Sequence, residues 1–155
     1  MTDTFGDTLP VWVALTAVGA VMLGAVLAIP GTPPPDATAA ANAVNVVAAG
    51  NHAAARTIPV DATGVRVRPT SLGLRNTAGA AHATLTPSVT PANTPALRRV
   101  LRGDPVLDVY PSLGAFHYAV VDARVNAAAA DWHPVKESLT VRHVVLGGVD
   151  VTLVG

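Results

Sequence analysis

The chain contains no cysteine. Disulfides and thiolate metal sites are therefore excluded, and the redox compartment leaves no mark on the sequence. Aromatic residues are scarce, with two each of Phe, Tyr and Trp. A core must be built from Val, Leu and Ala around Phe116 and Trp132. Small Ala-rich contacts bury little area per residue, so modest stability is expected. Glu137 is the only glutamate and Lys136 the only lysine. A mechanism using two glutamates is thereby impossible. Lys and Arg together number 10, as do Asp and Glu, so formal net charge is zero. With no basic surplus to neutralise phosphates, no nucleic-acid partner is expected. Recognised catalytic strings are missing as well. There is no Gly-x-Ser-x-Gly elbow, no His-Glu-x-x-His and no Gly-rich phosphate loop. His52, His82, His117, His133 and His143 include no i, i+4 pair that would hold a metal on a helix. No repeat of fixed period is visible. The sequence therefore reads as non-enzymatic, with no expected cofactor, metal ligand or catalytic residue.

What the chain does contain begins at its front. Between Pro10 and Pro30 no residue is charged. The run 9–29 matches the roughly 20 residues a helix needs to cross a hydrocarbon core. Its Val, Leu and Ile residues each favour insertion by about 0.3–0.6 kcal/mol. Thr8 can cap such a helix, Pro10 fits its first turn, and Pro30-Gly31 stop it. Trp12 lies at headgroup depth. A cleaved signal fits less well, because the leader MTDTFGDT has no Lys or Arg and no small-x-small site precedes the prolines. A buried soluble helix would carry a polar stripe, and this segment has none. Thr16, Ala20, Gly24 and Ala28 recur every fourth position, a small-residue ridge on which another membrane helix can pack. The expected organisation is a tail (1–8), a transmembrane helix (9–29), a Pro-rich spacer (30–35) and an extramembrane α+β domain (36–155).

Within that domain, Asp36 is placed to cap a helix ending near Gly50, with Ala40, Val44 and Val47 on one side and Asn42 and Asn45 on the other. Val65 and Val67 then alternate with Arg66 and Arg68, and Leu72 and Leu74 with Gly73 and Arg75. The turn Asn76–Gly79 and the extended HATLT complete a meander of two or three antiparallel strands. Pro87, Pro91 and Pro95 predict a loop. Thr94-Pro95 opens a short helix closed by Gly103. Ser112 caps a longer one reaching Ala130, with Leu113, Phe116, Val120, Ala123 and Ala127 inward and Asp122, Arg124 and Asn126 outward. Gly147-Gly148 joins two alternating runs as a hairpin with a primed turn. The fold class is α+β, with an antiparallel sheet packed on helices.

Arg98, Arg99 and Arg102 cluster on the short helix. They offer a contact for an anionic partner or lipid headgroups; equally, they read as a solvated face with Leu97, Val100 and Leu101 behind it. Asp131-x-His133 reads as a helix end and turn. A pocket uniting Asp131, His133 and His117 would instead favour an enzyme.

The strings PPPDATAAANAVNVVAAG, VRVRPTSLGLRNTAGAAHATLTPSVTP, LRRVLRGDP and DWHPVKESLTVRHVVLGGVDVTLVG, behind an N-terminal span, resemble a family of uncharacterised haloarchaeal membrane-anchored proteins. The resemblance covers nearly the whole chain and implies an accessory or minor pilin-like subunit of a pilus-like or secretion assembly. It implies a domain outside the cell, held by membrane lipid, with other membrane helices or assembly subunits as partners in a homo- or hetero-oligomer. No catalytic residue comes with it. The chain departs from that pattern in having only ten acidic residues, fewer than salt-adapted surfaces carry. It also lacks basic residues before Gly6, and Val11 stands where many pilins keep Glu, so the leader is expected to stay uncleaved. The alternative is a solitary membrane-tethered ligand-binding module.

Overall fold

The computed structural model describes residues 32–129 and 131–155. The expected span 9–29 and its ridge Thr16, Ala20, Gly24 and Ala28 lie outside the described residues. Among those described, no helix is long and apolar enough to cross a membrane.

The first helix, α1, is Ala37–Ala48. Asp36 caps it as expected: the Ala39 amide donates to Asp36 Oδ1 at 2.8 Å. Ala40, Val44 and Val47 are buried. Asn45 is not simply solvated, because its Oδ1 accepts from the Thr86 amide at 2.8 Å and ties the helix to a loop.

Strands β1 (Ala54–Pro59), β2 (Gly64–Arg68), β3 (Ser71–Asn76) and β4 (Gly79–Thr84) follow, then the two-residue β5 (Thr90–Pro91). Helix α2, Pro95–Arg102, has Thr94 as its cap, Pro95 in its first turn and Gly103 at φ 131° as its stop. Arg142 Nη1 donates to the carbonyl of Val100 at 3.0 Å, satisfying an end carbonyl and complementing the helix dipole. A single turn, α3 (Val106–Val109), leads to α4, Leu113–Asn126, capped by Ser112. The helix stops four residues short of the expected Ala130. Ala127–Ala129 tighten into a 3₁₀ turn, a frequent ending for a helix. β6 (His133–Pro134), β7 (Ser138–Leu146) and β8 (Val149–Val154) complete the chain. Gly147 and Gly148 have φ of 55° and 83°, the left-handed pair that a primed two-residue turn demands.

The protein is α+β, with largely antiparallel sheets packed with helices. The single expected sheet is in fact two. One has the order β1-β7-β8-β5, the other β4-β3-β2-β6. Only β5 runs parallel to its neighbour, β8. The predicted meander is present as β2-β3-β4. The final hairpin belongs to the other sheet, because residues 138–143 of β7 also pair with the whole of β1.

Two apolar clusters hold these layers. In the first, α1 sits against residues of both sheets, among them Ile58, Val65, Val67, Leu72, Leu74, Leu139 and Val141. In the second, Phe116, Val120 and Ala123 of α4 meet Leu97 and Val100 of α2 and Val144, Val151 and Leu153 of the hairpin. The inward stripe of α4 is as predicted. Its outward side is corrected at Arg124, which is half-buried: its Nε donates to Thr90 Oγ1 at 2.7 Å. Burial lowers the pKa of that guanidinium. Trp132 is likewise corrected. It belongs to neither core cluster and lies on the outer surface of the second sheet.

Candidate functional site: an arginine–tryptophan sheet face

Strand alternation sends Val65, Val67, Leu72 and Leu74 inward, so Arg66, Arg68, Ser71, Gly73 and Arg75 share the opposite face. Register places them in rows. Arg66 stands opposite Gly73, and Gly73 opposite His82; Arg75 stands opposite Gly64. β6 joins the far edge of this sheet with His133 opposite Val65. His133, itself exposed, therefore falls on the Val65 side of the sheet, and Trp132, one residue earlier, lies on the arginine face.

There the indole becomes a platform. The guanidinium carbon of Arg66 is 4.5 Å from its ring centroid and that of Arg75 is 4.9 Å away. His82 tilts towards the same ring at 5.8 Å between centroids. Two glycines make the arrangement fit. A Cβ at Gly73 would lie 2.7 Å from His82 Nδ1 and 3.1 Å from Trp132 Cη2; a Cβ at Gly64 would lie 2.7 Å from Arg75 Nε. The aromatic and guanidinium groups thus occupy the space these glycines leave, and contacts of this type contribute about 0.5–1 kcal/mol each where partly exposed.

The face is electrostatically incomplete. Among the described residues the only basic and acidic side chains within 4.0 Å of each other are Arg99 with Asp104 at 2.7 Å and the His143 imidazole with Asp150 at 3.4 Å. Among the described residues, Arg66, Arg68 and Arg75 therefore have no carboxylate within pairing distance. Arg66 Nε and Arg68 Nε are also shielded from solvent without a hydrogen-bond acceptor. Three guanidinium forks, two of them held against an indole, can donate paired hydrogen bonds to carboxylate, sulfate or phosphate oxygens.

The arginines singled out in the sequence do not form one site. Arg98 bends back on its own loop, donating from Nε to the Ala92 carbonyl at 3.1 Å and from Nη2 to that of Asn93 at 3.4 Å. Arg99 pairs with Asp104 at 2.7 Å. Arg102 lies beside Arg56 in a shallow hollow of about 340 Å³. Leu97, Val100 and Leu101 are buried behind them. The solvated-face reading describes Arg99 and Arg102, and Arg98 acts as a loop clamp.

Asp131 and His133 do converge. They line a cleft of about 570 Å³, with Arg98 and Asn126 on its polar side and Val65, Val67 and Val154 as apolar wall. His117 is exposed on α4 and does not line it, so the three-residue constellation is not assembled. Among the described residues no group of three or more metal-ligating side chains comes together. A buried pair not anticipated from sequence lies in the first sheet: His143 Nδ1 is 3.0 Å from Thr152 Oγ1, both nearly inaccessible. Strand alternation hinted at it, because His143 and Val141 fall on the same side of β7.

The arginine–tryptophan face does not follow from the sequence pattern alone, which places Trp132 in the core. Its signal was present in GVRVR and SLGLR, where Gly and Arg share one side of adjacent strands. The resemblance to haloarchaeal pilus-associated proteins extends beyond what comparison establishes. No curated protein matches the chain. No solved structure matches it either. A family model described as a family of unknown function (DUF7283) matches residues 3–144. With most of its length matched, the chain belongs to the DUF7283 family.

Proposed function

We propose that this protein is a non-enzymatic, single-pass membrane subunit whose external α+β domain binds an anionic partner surface through Arg66, Arg68, Arg75 and Trp132. The observation carrying this reading is the absence of any carboxylate paired with those three arginines among the described residues. Charge that the fold itself leaves unmatched is a means of recognition. The uncharged run 9–29 supports a membrane anchor, and the ridge Thr16, Ala20, Gly24 and Ala28 supports a second membrane helix as neighbour. Placement in a pilus-like or secretion assembly, as an accessory or minor subunit, rests on the sequence resemblance alone.

The test is affinity purification of the full-length chain from detergent-solubilised membranes, with partners identified by mass spectrometry. The triple variant Arg66→Ser/Arg68→Ser/Arg75→Ser should lose proteins that the parent retains, and moderate salt should elute the same proteins from the parent. An unchanged partner set would refute the role of the face. Gly24→Leu addresses the membrane ridge separately: it should weaken copurification of membrane proteins, and unchanged recovery would count against that contact.

A second reading is a solitary tethered module that binds a small ligand. The 570 Å³ cleft favours it, having the size and mainly apolar lining of a small-molecule site. That reading predicts a monomer without protein partners in the same purification.

A further inference from the structure

The two sheets have four edge strands, and three of them carry features that discourage pairing. β1 places Arg56 in mid-strand and ends in Pro59. β5 and β6 are two residues long, and each contains a proline, Pro91 or Pro134, which has no N–H to offer. Short strands, prolines and charged side chains are the usual guards of a sheet edge. β4 has none of them. It runs six residues, Gly-Ala-Ala-His-Ala-Thr, without proline or a formally charged side chain. Gly79, Ala80, His82 and Thr84 are exposed. Among the described residues, β4 pairs only with β3, and no other backbone hydrogen bond reaches residues 79–84.

We propose that β4 is a self-association edge, where two copies of the chain pair β4 with β4 antiparallel about a two-fold axis. A two-fold contact requires the strand to complement itself. β4 does so: its image brings Gly, Ala, His and Thr together, with no Lys, Arg, Asp or Glu on the strand. The equivalent pairing of β1 would bring together two copies of a strand carrying Arg56, which is unfavourable. For inward residues to stay inward across the junction, the axis must pass through a residue, either Ala81 or His82. Pairing extends the β4-β3-β2-β6 sheet into its copy. It also places both arginine–tryptophan faces on the same side, so that one extended anionic partner can engage both. The pairing itself does not depend on the function assigned to that face.

The absence of cysteine makes the test direct. Ala81→Cys and His82→Cys are made separately in the full-length chain, with Ala55→Cys in β1 as control. Mild oxidation in membranes should link the variant on the axis into a species of twice the 15.7 kDa chain mass, and leave the control unlinked. Ala80→Lys, on an exposed outward position, should weaken dimerisation by roughly three- to tenfold in sedimentation without lowering the thermal midpoint measured at concentrations where the parent is monomeric. Failure of both β4 cysteines to cross-link, with a monomer in sedimentation, would overturn the proposal. Equal cross-linking at Ala55 would do so as well. A monomer whose β4 cysteine resists maleimide in membranes but reacts in detergent would assign the edge to another protein's strand and likewise overturn it.

Discussion

The two faces of the β4-β3-β2-β6 sheet are built from alternate residues of the same strands, yet they do opposite things. The inner face, Val65, Val67, Leu72 and Leu74, is buried against α1 and the first sheet. It is a sum of apolar contacts, and any residue of similar shape would serve. The outer face, Arg66, Arg68, Gly73 and Arg75 with Trp132, contributes little apolar burial and gathers positive charge with no paired carboxylate among the described residues. One face therefore determines whether the domain folds. The other can be altered with small effects on folding, and on the proposed function such changes should show in binding. That separation makes the function testable without identifying the partner first.

The comparison breaks most visibly at Leu72. Leu72 is fully buried, so Leu72→Ala should cost about 2–5 kcal/mol and lower the thermal midpoint markedly in a circular-dichroism melt. A change below about 1 kcal/mol would mean that the inner face is not the core. Gly73→Val comes next. Its new Cβ would crowd His82 and Trp132, and overpacking of this kind costs about 1–3 kcal/mol. It should also shift Trp132 emission, as the ring leaves its two guanidinium groups. Smaller still is the stability effect of Arg66→Ser/Arg75→Ser. Two cation–π contacts of about 0.5–1 kcal/mol each are lost, while repulsion between neighbouring cations is relieved. The melt should move by only a few degrees, in contrast to Leu72→Ala.

The smallest effect lies away from both faces. Burial raises the pKa of the Tyr110 phenol; nearby Thr94, whose geometry falls short of a hydrogen bond to Oη, offsets part of the rise. The fold thus favours the neutral phenol. Its contribution is complete below the ordinary tyrosine value of about 10 and is lost as pH climbs through the raised one. An absorbance titration of Tyr118→Phe, which leaves Tyr110 as the only tyrosine, should show a midpoint above about 10. A midpoint at or below that value would remove the burial argument.

Much of this architecture was legible in the sequence wherever the signal was local. Asp36, Thr94-Pro95, Ser112 and Gly147-Gly148 are caps and turns whose chemistry acts within a few residues, and each does what its position implied. The period-two runs of β2, β3, β7 and β8 were equally readable. β1 was not, because AARTIP is an exposed edge with no alternation to detect; only its pairing with β7 makes it a strand. β5 and β6 are defined by their partners in the same way. Alternation reveals that a strand has an inner side but not which strand lies beside it, and one sheet was expected where two exist. Trp132 was misplaced for a related reason. A large apolar ring defaults to the core, and only register shows that Gly73 and the arginines make a seat for it outside. The sequence-based expectations for the membrane segment and its ridge concern residues outside those described.

The central claim, that the outer face receives an anionic partner, is tested most directly by Trp132 itself. The chain has two tryptophans, so Trp12→Phe leaves Trp132 as the sole indole, with the two guanidinium groups against it. Titrating this variant with polyglutamate should change its emission saturably, and the change should fade with salt and vanish on adding Arg66→Ser/Arg75→Ser. An emission spectrum indifferent to the polyanion at low salt, in a chain that melts like the parent, would contradict the account.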